Sequence, residues 1–262
     1  MRLILWKSTM SKSSKIIVGG CSFTDKFYPF TVKPVPLHFK MWPELLSDKT
    51  NIEVINTAKC GIGNERIFHN VVSEIFNNDN IKKVVVAWTE WTRQDFLVNN
   101  NWVTLKPNLK VSATCKPKYG VYDLHELQNW YNDAFGSSYP TPENIVSKNI
   151  QLFYSLYAIC KSRDIELRMF QMINAFNRYQ IKDVDYEHDI KLAQKSLISN
   201  PISTEINEDM FWGWPAFGKL GGIELVRHLD RNNKYHTISD VDHHPNEETQ
   251  KNIMEFIYEN IF

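Results

Sequence analysis

Neither sign of charge prevails in this sequence, which carries 30 Lys and Arg against 30 Asp and Glu. The balance removes the electrostatic reason to expect a nucleic acid or an anionic membrane surface as partner. Long hydrophobic runs are missing as well. No stretch approaches a membrane span, and the opening MRLILWKSTMSKSSK has only a brief apolar patch, too short for a signal-peptide core. Disulfide spacing is also absent: Cys21, Cys60, Cys115 and Cys160 form no CxxC pair and no compact framework. They read as free thiols in a reducing compartment, so the chain is expected in the cytoplasm. Without an internal repeat, low-complexity tract or Pro/Gly linker, residues 1–262 are expected to form one domain. Alanine is scarce beside Asn and Lys, the bias of an AT-rich genome such as a phage's.

Apolar residues at 43% and charged residues at 23% are the proportions of an ordinary soluble globular chain. Short β-rich apolar runs predict strands at KIIVGG (15–20), IEVINTA (52–58), KKVVVAW (82–88) and IELRMFQMI (165–173), with a weaker one at KYHTIS (234–239). Helical patterns lie between them. ERIFHNVVSEIF (65–76) places Ile67, Val71, Val72 and Ile75 on one face. A second pattern over 141–164 opens with Thr141 and Pro142 as cap and first position. The last follows Pro245 with acidic residues in its first turn, where they suit the helix dipole. Alternating strands and helices imply a mainly parallel sheet covered on both faces. Residues 97–140 and 176–232 break the alternation and read as insertions over one edge, candidates for the walls of a site.

Parallel topology would bring three loops to one edge of this sheet. Ser22 lies just after the first strand, Gly61 just after the second, and VDHHPNEETQ just before the last helix. Nucleophilic acyl transfer requires that combination: a hydroxyl, a base within hydrogen-bond reach, a carboxylate to fix the imidazole, and backbone N–H groups facing the oxyanion. Each residue also has a plainer reading. Ser22 suits a turn or cap, Gly61 a positive-φ turn, and Trp91, Trp212 and Trp214 suit a core. Asp240, Asp242, His243 and His244, with His236 nearby, have metal-ligand chemistry, but no second cluster such as HExxH accompanies them. The glycines of GIGNERI lack phosphate-loop spacing.

GGCSFT resembles the first block of the SGNH (GDSL-type) hydrolases, with Cys21 where Asp is commonest. NTAKCG is similar to their second block, whose Gly lines the oxyanion hole, and DHHPNEETQKNI to their last, an Asp-to-His spacing before Pro and the terminal helix. The third block departs: AWTEWTRQDF puts Trp91 near the family's usual Asn, leaving Asn64, Thr89 or Arg93 as replacements for that side-chain donor. The resemblance implies a three-layer α/β/α sandwich on a flavodoxin-like five-stranded sheet. It also implies a serine esterase or O-deacylase with Ser22 as nucleophile, His244 as base and Asp242 as its partner, the pair Asp240 and His243 being the alternative. The N–H groups of Ser22 and Gly61 would hold the oxyanion, and neither metal nor other cofactor is called for. An acetylated carbohydrate is one implied substrate, with Arg93, Trp91, Trp212 and Trp214 lining its cleft. An O-acyltransferase, or an inactive scaffold serving as a binding or virion-associated protein, are the alternatives.

Overall fold

The structure, a computed structural model, describes residues 14–28, 35–36, 38–106, 118–119, 122–135, 140–176 and 186–262. Its elements begin with β1 (Lys15–Gly19), β2 (Phe27–Tyr28), β3 (Val35–Pro36), α1 (Trp42–Thr50), β4 (Glu53–Asn56), α2 (Asn64–Asn77) and β5 (Ile81–Trp88). Next come β6 (Gln94–Val98), β7 (Asn101–Leu105), β8 (Lys118–Tyr119), β9 (Tyr122–Asp123), α3 (Leu124–Phe135) and α4 (Pro142–Ser162). The chain continues through β10 (Glu166–Gln171), α5 (Tyr186–Ser199), β11 (Phe211–Trp212), α6 (Leu225–Arg231) and α7 (Glu247–Asn260).

Five strands form the central sheet in the order β11-β10-β5-β1-β4, every pair parallel. Numbered along the chain, that is the flavodoxin-like order, whose reversal falls at β1. The sheet faces alternate with the pleat. Ile17, Val84, Val86 and Met169 pack with residues of α2, α4 and α5, including Ile67, Val71, Phe153 and Ala193. Ile16, Val18, Val85, Ala87 and Phe170 pack the other way, against Trp42, Leu46, Leu225, Ile253 and Ile257 of α1, α6 and α7. Both faces are therefore covered, and the architecture is a three-layer α/β/α sandwich. Among the described residues, no helix is long and apolar enough to cross a membrane.

The fifth strand is not the expected one. KYHTIS contributes only an isolated bridge between Thr237 and Pro245, and the edge strand is β11, inside the stretch expected as an insertion. β11 pairs Phe211 with Met169 and Trp212 with Phe170, two residues being enough because β10 offers its free edge there. Across the start of the other expected insertion, β6 and β7 form an antiparallel hairpin that begins at Gln94, and Val103 and Leu105 pack on Tyr131 of α3. Cys115 lies outside the described residues.

Candidate active site

β1 ends on two glycines because nothing larger fits. A Cβ on Gly19 would come within 2.5 Å of Val71 Cγ2, and one on Gly20 within 2.4 Å of Thr24 Oγ1. The chain then turns sharply, with the N–H groups of Thr24 and Asp25 both donating to the Cys21 carbonyl at 2.9 and 3.0 Å. Buried Thr24 accepts from Trp42 Nε1 at 3.2 Å. Gln250 of α7 accepts from the Trp42 N–H at 3.0 Å and donates to the Phe23 carbonyl at 3.4 Å. The turn that presents Ser22 is thus tied to α1 and α7. Ser22 itself is 9% exposed.

The loop before α7 arrives from the other end of the chain. Asn246 caps the helix by accepting from the Thr249 N–H. The neck of the loop closes through Ile238 N–H to the His244 carbonyl at 2.9 Å and Tyr235 Oη to the His243 carbonyl at 2.6 Å. Inside it, Asp242 Oδ1 accepts from the His244 N–H at 3.1 Å and from its Nδ1 at 2.6 Å. A carboxylate acceptor on Nδ1 leaves the lone pair of the neutral ring on Nε2. That nitrogen stands 2.9 Å from Ser22 Oγ, placed to accept its hydroxyl proton. Phe23 flanks the imidazole, ring centroids 5.2 Å apart. The alternative pair does not assemble: Asp240 and His243 are both exposed, and no bond joins them among the described residues. The reason is local, since the turn that buries Asp242 points its immediate neighbours outward.

Gly61 follows β4 with φ +78°, in the left-handed region that favours glycine, and no atom lies near enough to crowd a side chain there. Among the described residues, nothing accepts the N–H of Ser22 or of Gly61. Both are donors in waiting. Asn64 is not: its Oδ1 accepts from the Thr89 N–H at 3.0 Å, and its Nδ2 donates to Asn149 Oδ1 at 2.7 Å and to the Thr89 carbonyl at 3.4 Å. This buried amide ties α2 to the end of β5. Thr89 is fully buried, and its hydroxyl has no partner among the described residues.

Two solved structures are similar in fold. One is a lipolytic protein of the G-D-S-L family from Desulfitobacterium hafniense DCB-2, 13% identical, with a TM-score of 0.47 and coverage of 94% of this chain and 98% of that one. The other is the psychrotrophic esterase EstA from Pseudoalteromonas sp., inhibited by monoethylphosphonate, 14% identical, with a TM-score of 0.46 and coverage of 95% and 96%. No family model and no curated protein sequence matches the chain.

The residues expected to contact a substrate lie elsewhere. Trp91 is fully buried among Phe153 and Phe217 and donates from Nε1 to Gln171 Oε1 at 2.9 Å. Trp212 packs on His228 and Phe256, and Trp214 on Phe153 and Phe211 with Nε1 donating to the Ser203 carbonyl. Trp91 is a core aromatic, whereas Trp212 and Trp214 are half-buried at the margin of the core. Arg93 is buried too, its Nε on Glu90 Oε2 at 3.0 Å and its Nη1 on the Ile62 carbonyl at 3.0 Å.

Lys106 shares Glu90 Oε2 at 3.2 Å. Burial and the Arg93 charge lower the Lys106 pKa, with Glu90 opposing them. Burial works against the Arg93 charge as well, yet Glu90 and its other neighbours hold that pKa above the ordinary value. Burial pushes the Cys60 thiol up to about 12, which keeps it protonated and unreactive. Two cavities lie off this centre, of about 670 and 770 Å³, sharing Glu224 and Arg227. His243 lines the second; neither Ser22 nor His244 lines either.

Proposed function

We propose that this chain is a serine hydrolase of carboxylic esters. The observation that carries the reading is one line of hydrogen bonds, Ser22 Oγ to His244 Nε2 at 2.9 Å and His244 Nδ1 to Asp242 Oδ1 at 2.6 Å. Ser22 Oγ attacks the ester carbonyl carbon as its proton passes to Nε2. The carbonyl π pair moves to oxygen, and the N–H groups of Ser22 and Gly61 receive that charge. Collapse breaks the bond to the alcohol, which leaves with the proton from Nε2. Water then repeats the sequence against the acyl-Ser22 ester and releases the acid. Asp242 holds the ring in one tautomer and steadies the imidazolium. Acyl transfer by these groups calls on no metal or cofactor.

Two backbone donors, with Asn64 and Arg93 already bonded elsewhere, suit a modest enzyme, since each donor is worth a factor of ~100 to 1,000 in rate. The experiment is p-nitrophenyl acetate turnover by the purified chain beside its Ser22→Ala variant. Turnover that vanishes in the variant and survives a chelator supports the reading. Equal rates in both would remove Ser22 as nucleophile.

A further inference from the structure

The Gly61 N–H belongs to the Cys60–Gly61 peptide, and three buried or half-buried side chains hold the peptide just before it and the next but one after it. On the N-terminal side, Asp25 Oδ2 accepts from the Cys60 N–H at 2.7 Å. On the C-terminal side, the Ile62 carbonyl and the Gly63 N–H belong to one planar peptide unit. Arg93 Nη1 donates to that carbonyl at 3.0 Å, and Asp95 Oδ1 accepts from that N–H at 2.9 Å. One peptide is therefore clamped at both ends by residues two apart where the chain enters the β6 strand, a spacing that puts side chains on one face.

The clamp is itself secured. Arg93 is fixed by Glu90, which also binds Lys106 just past β7, at the open end of the hairpin where Gln94 pairs with Leu105. Asp95 additionally accepts from the Arg66 N–H at 2.9 Å and from the Thr104 hydroxyl. Gly61 has a left-handed φ, a side chain there would meet nothing within 4 Å, and among the described residues nothing accepts its N–H.

We propose that Arg93, with Asp95, is a positioning residue for the oxyanion donor: by clamping the Ile62–Gly63 peptide it keeps the Gly61 N–H aimed at the reacting carbonyl. This rests on the esterase reading of Ser22. The hairpin after β5 acts as a buttress behind the donor loop. Fixed donors stabilise developing charge without reorganising during the reaction, whereas a mobile loop loses that advantage. A planar guanidinium that binds Glu90 and a carbonyl together is not replaced by the point charge of lysine.

The test compares wild type with Arg93→Lys, which keeps the charge beside Glu90 and gives up the fork. Two readouts are taken: p-nitrophenyl acetate kinetics per fluorophosphonate-labelled site, and amide hydrogen exchange in peptides covering 60–63. The clamp predicts kcat down ~10- to 100-fold with KM within about twofold. It also predicts exchange at least about tenfold faster at Cys60 and Gly63, whose N–H groups are bonded, with the core unaffected. Unchanged kcat and unchanged exchange overturn it, and so does a rise in KM alone. Should turnover prove independent of Ser22, the esterase reading falls, and exchange still decides whether Arg93 fixes the loop: acceleration supports the clamp, no change overturns it. If Arg93→Lys does not fold, Asp95→Asn is read by the same two measurements.

Discussion

The turns that follow β1 and β5 leave neighbouring strands at the same edge of the sheet, yet they treat their polar side chains in opposite ways. After β1, Ser22 meets its partner only across the fold, and its backbone N–H is left open. After β5, Glu90 and Arg93 are turned inward and bound to each other, and Arg93 also bonds a neighbouring backbone carbonyl. A reacting group must keep a valence free for the substrate, while a brace is rigid only when its valences are filled. On the proposed esterase reading, the first turn supplies chemistry and the second framework.

The sharpest way to break that contrast is at the two adjacent histidines. His244→Ala should lower Ser22-dependent turnover by ~1,000-fold or more, while His243→Ala stays within about twofold. Equal losses in an esterase assay would mean that the loop, and not one ring, matters. Next in size is the framework side. Trp91→Ala should cost ~3–5 kcal/mol in urea denaturation. A stable variant with a raised KM would instead return Trp91 to the substrate.

Gly61→Ala tests the join between the two regions. A left-handed φ costs a non-glycine residue ~1–2 kcal/mol, so this variant should lose that much in urea denaturation and lose turnover with it.

Glu224, off the site, gives the smallest effect. Burial raises its pKa to about 7, with Arg227 and Arg231 opposing. The folded chain holds this proton more tightly than the unfolded chain does. Its contribution is therefore complete below about pH 4.5 and lost as pH climbs through about 7. Partial exposure keeps the swing on the order of 1 kcal/mol. Melting curves at pH 5 and pH 8 should show wild type falling relative to Glu224→Gln; parallel curves would contradict it.

The parts of the molecule that could be read from the chain follow the same division. β1, β5 and β10 announce themselves because buried parallel strands are short apolar runs, and β4, half-buried at the sheet edge, still shows the β-rich run IEVINTA. Ser22, Gly61, Asp242 and His244 stand out because each sits at the boundary of such a run or of a capped helix. β11 is invisible: two residues make no pattern, and only the free edge of β10 makes a strand of them. α1 and α6 are short and weakly patterned, and α3 and α5 lie within the stretches that read as insertions. The clamp left no local signal either. Asp25 and Asp95 look like any surface carboxylate until the fold sets each against the N–H of a loop some thirty residues away. Its place in AWTEWTRQDF makes Arg93 a candidate donor or substrate contact, and burial against Glu90 and the Ile62 carbonyl gives it another occupation.

His244 is separated from Ser22 by 222 positions along the chain. During synthesis the alcohol is therefore extruded first and stays an ordinary serine while nearly everything else is still being made. On the proposed reading, competence waits for the loop that carries His244, so a product stopped before that loop should be inert toward esters. Closing so long a loop also makes this step among the late events of folding.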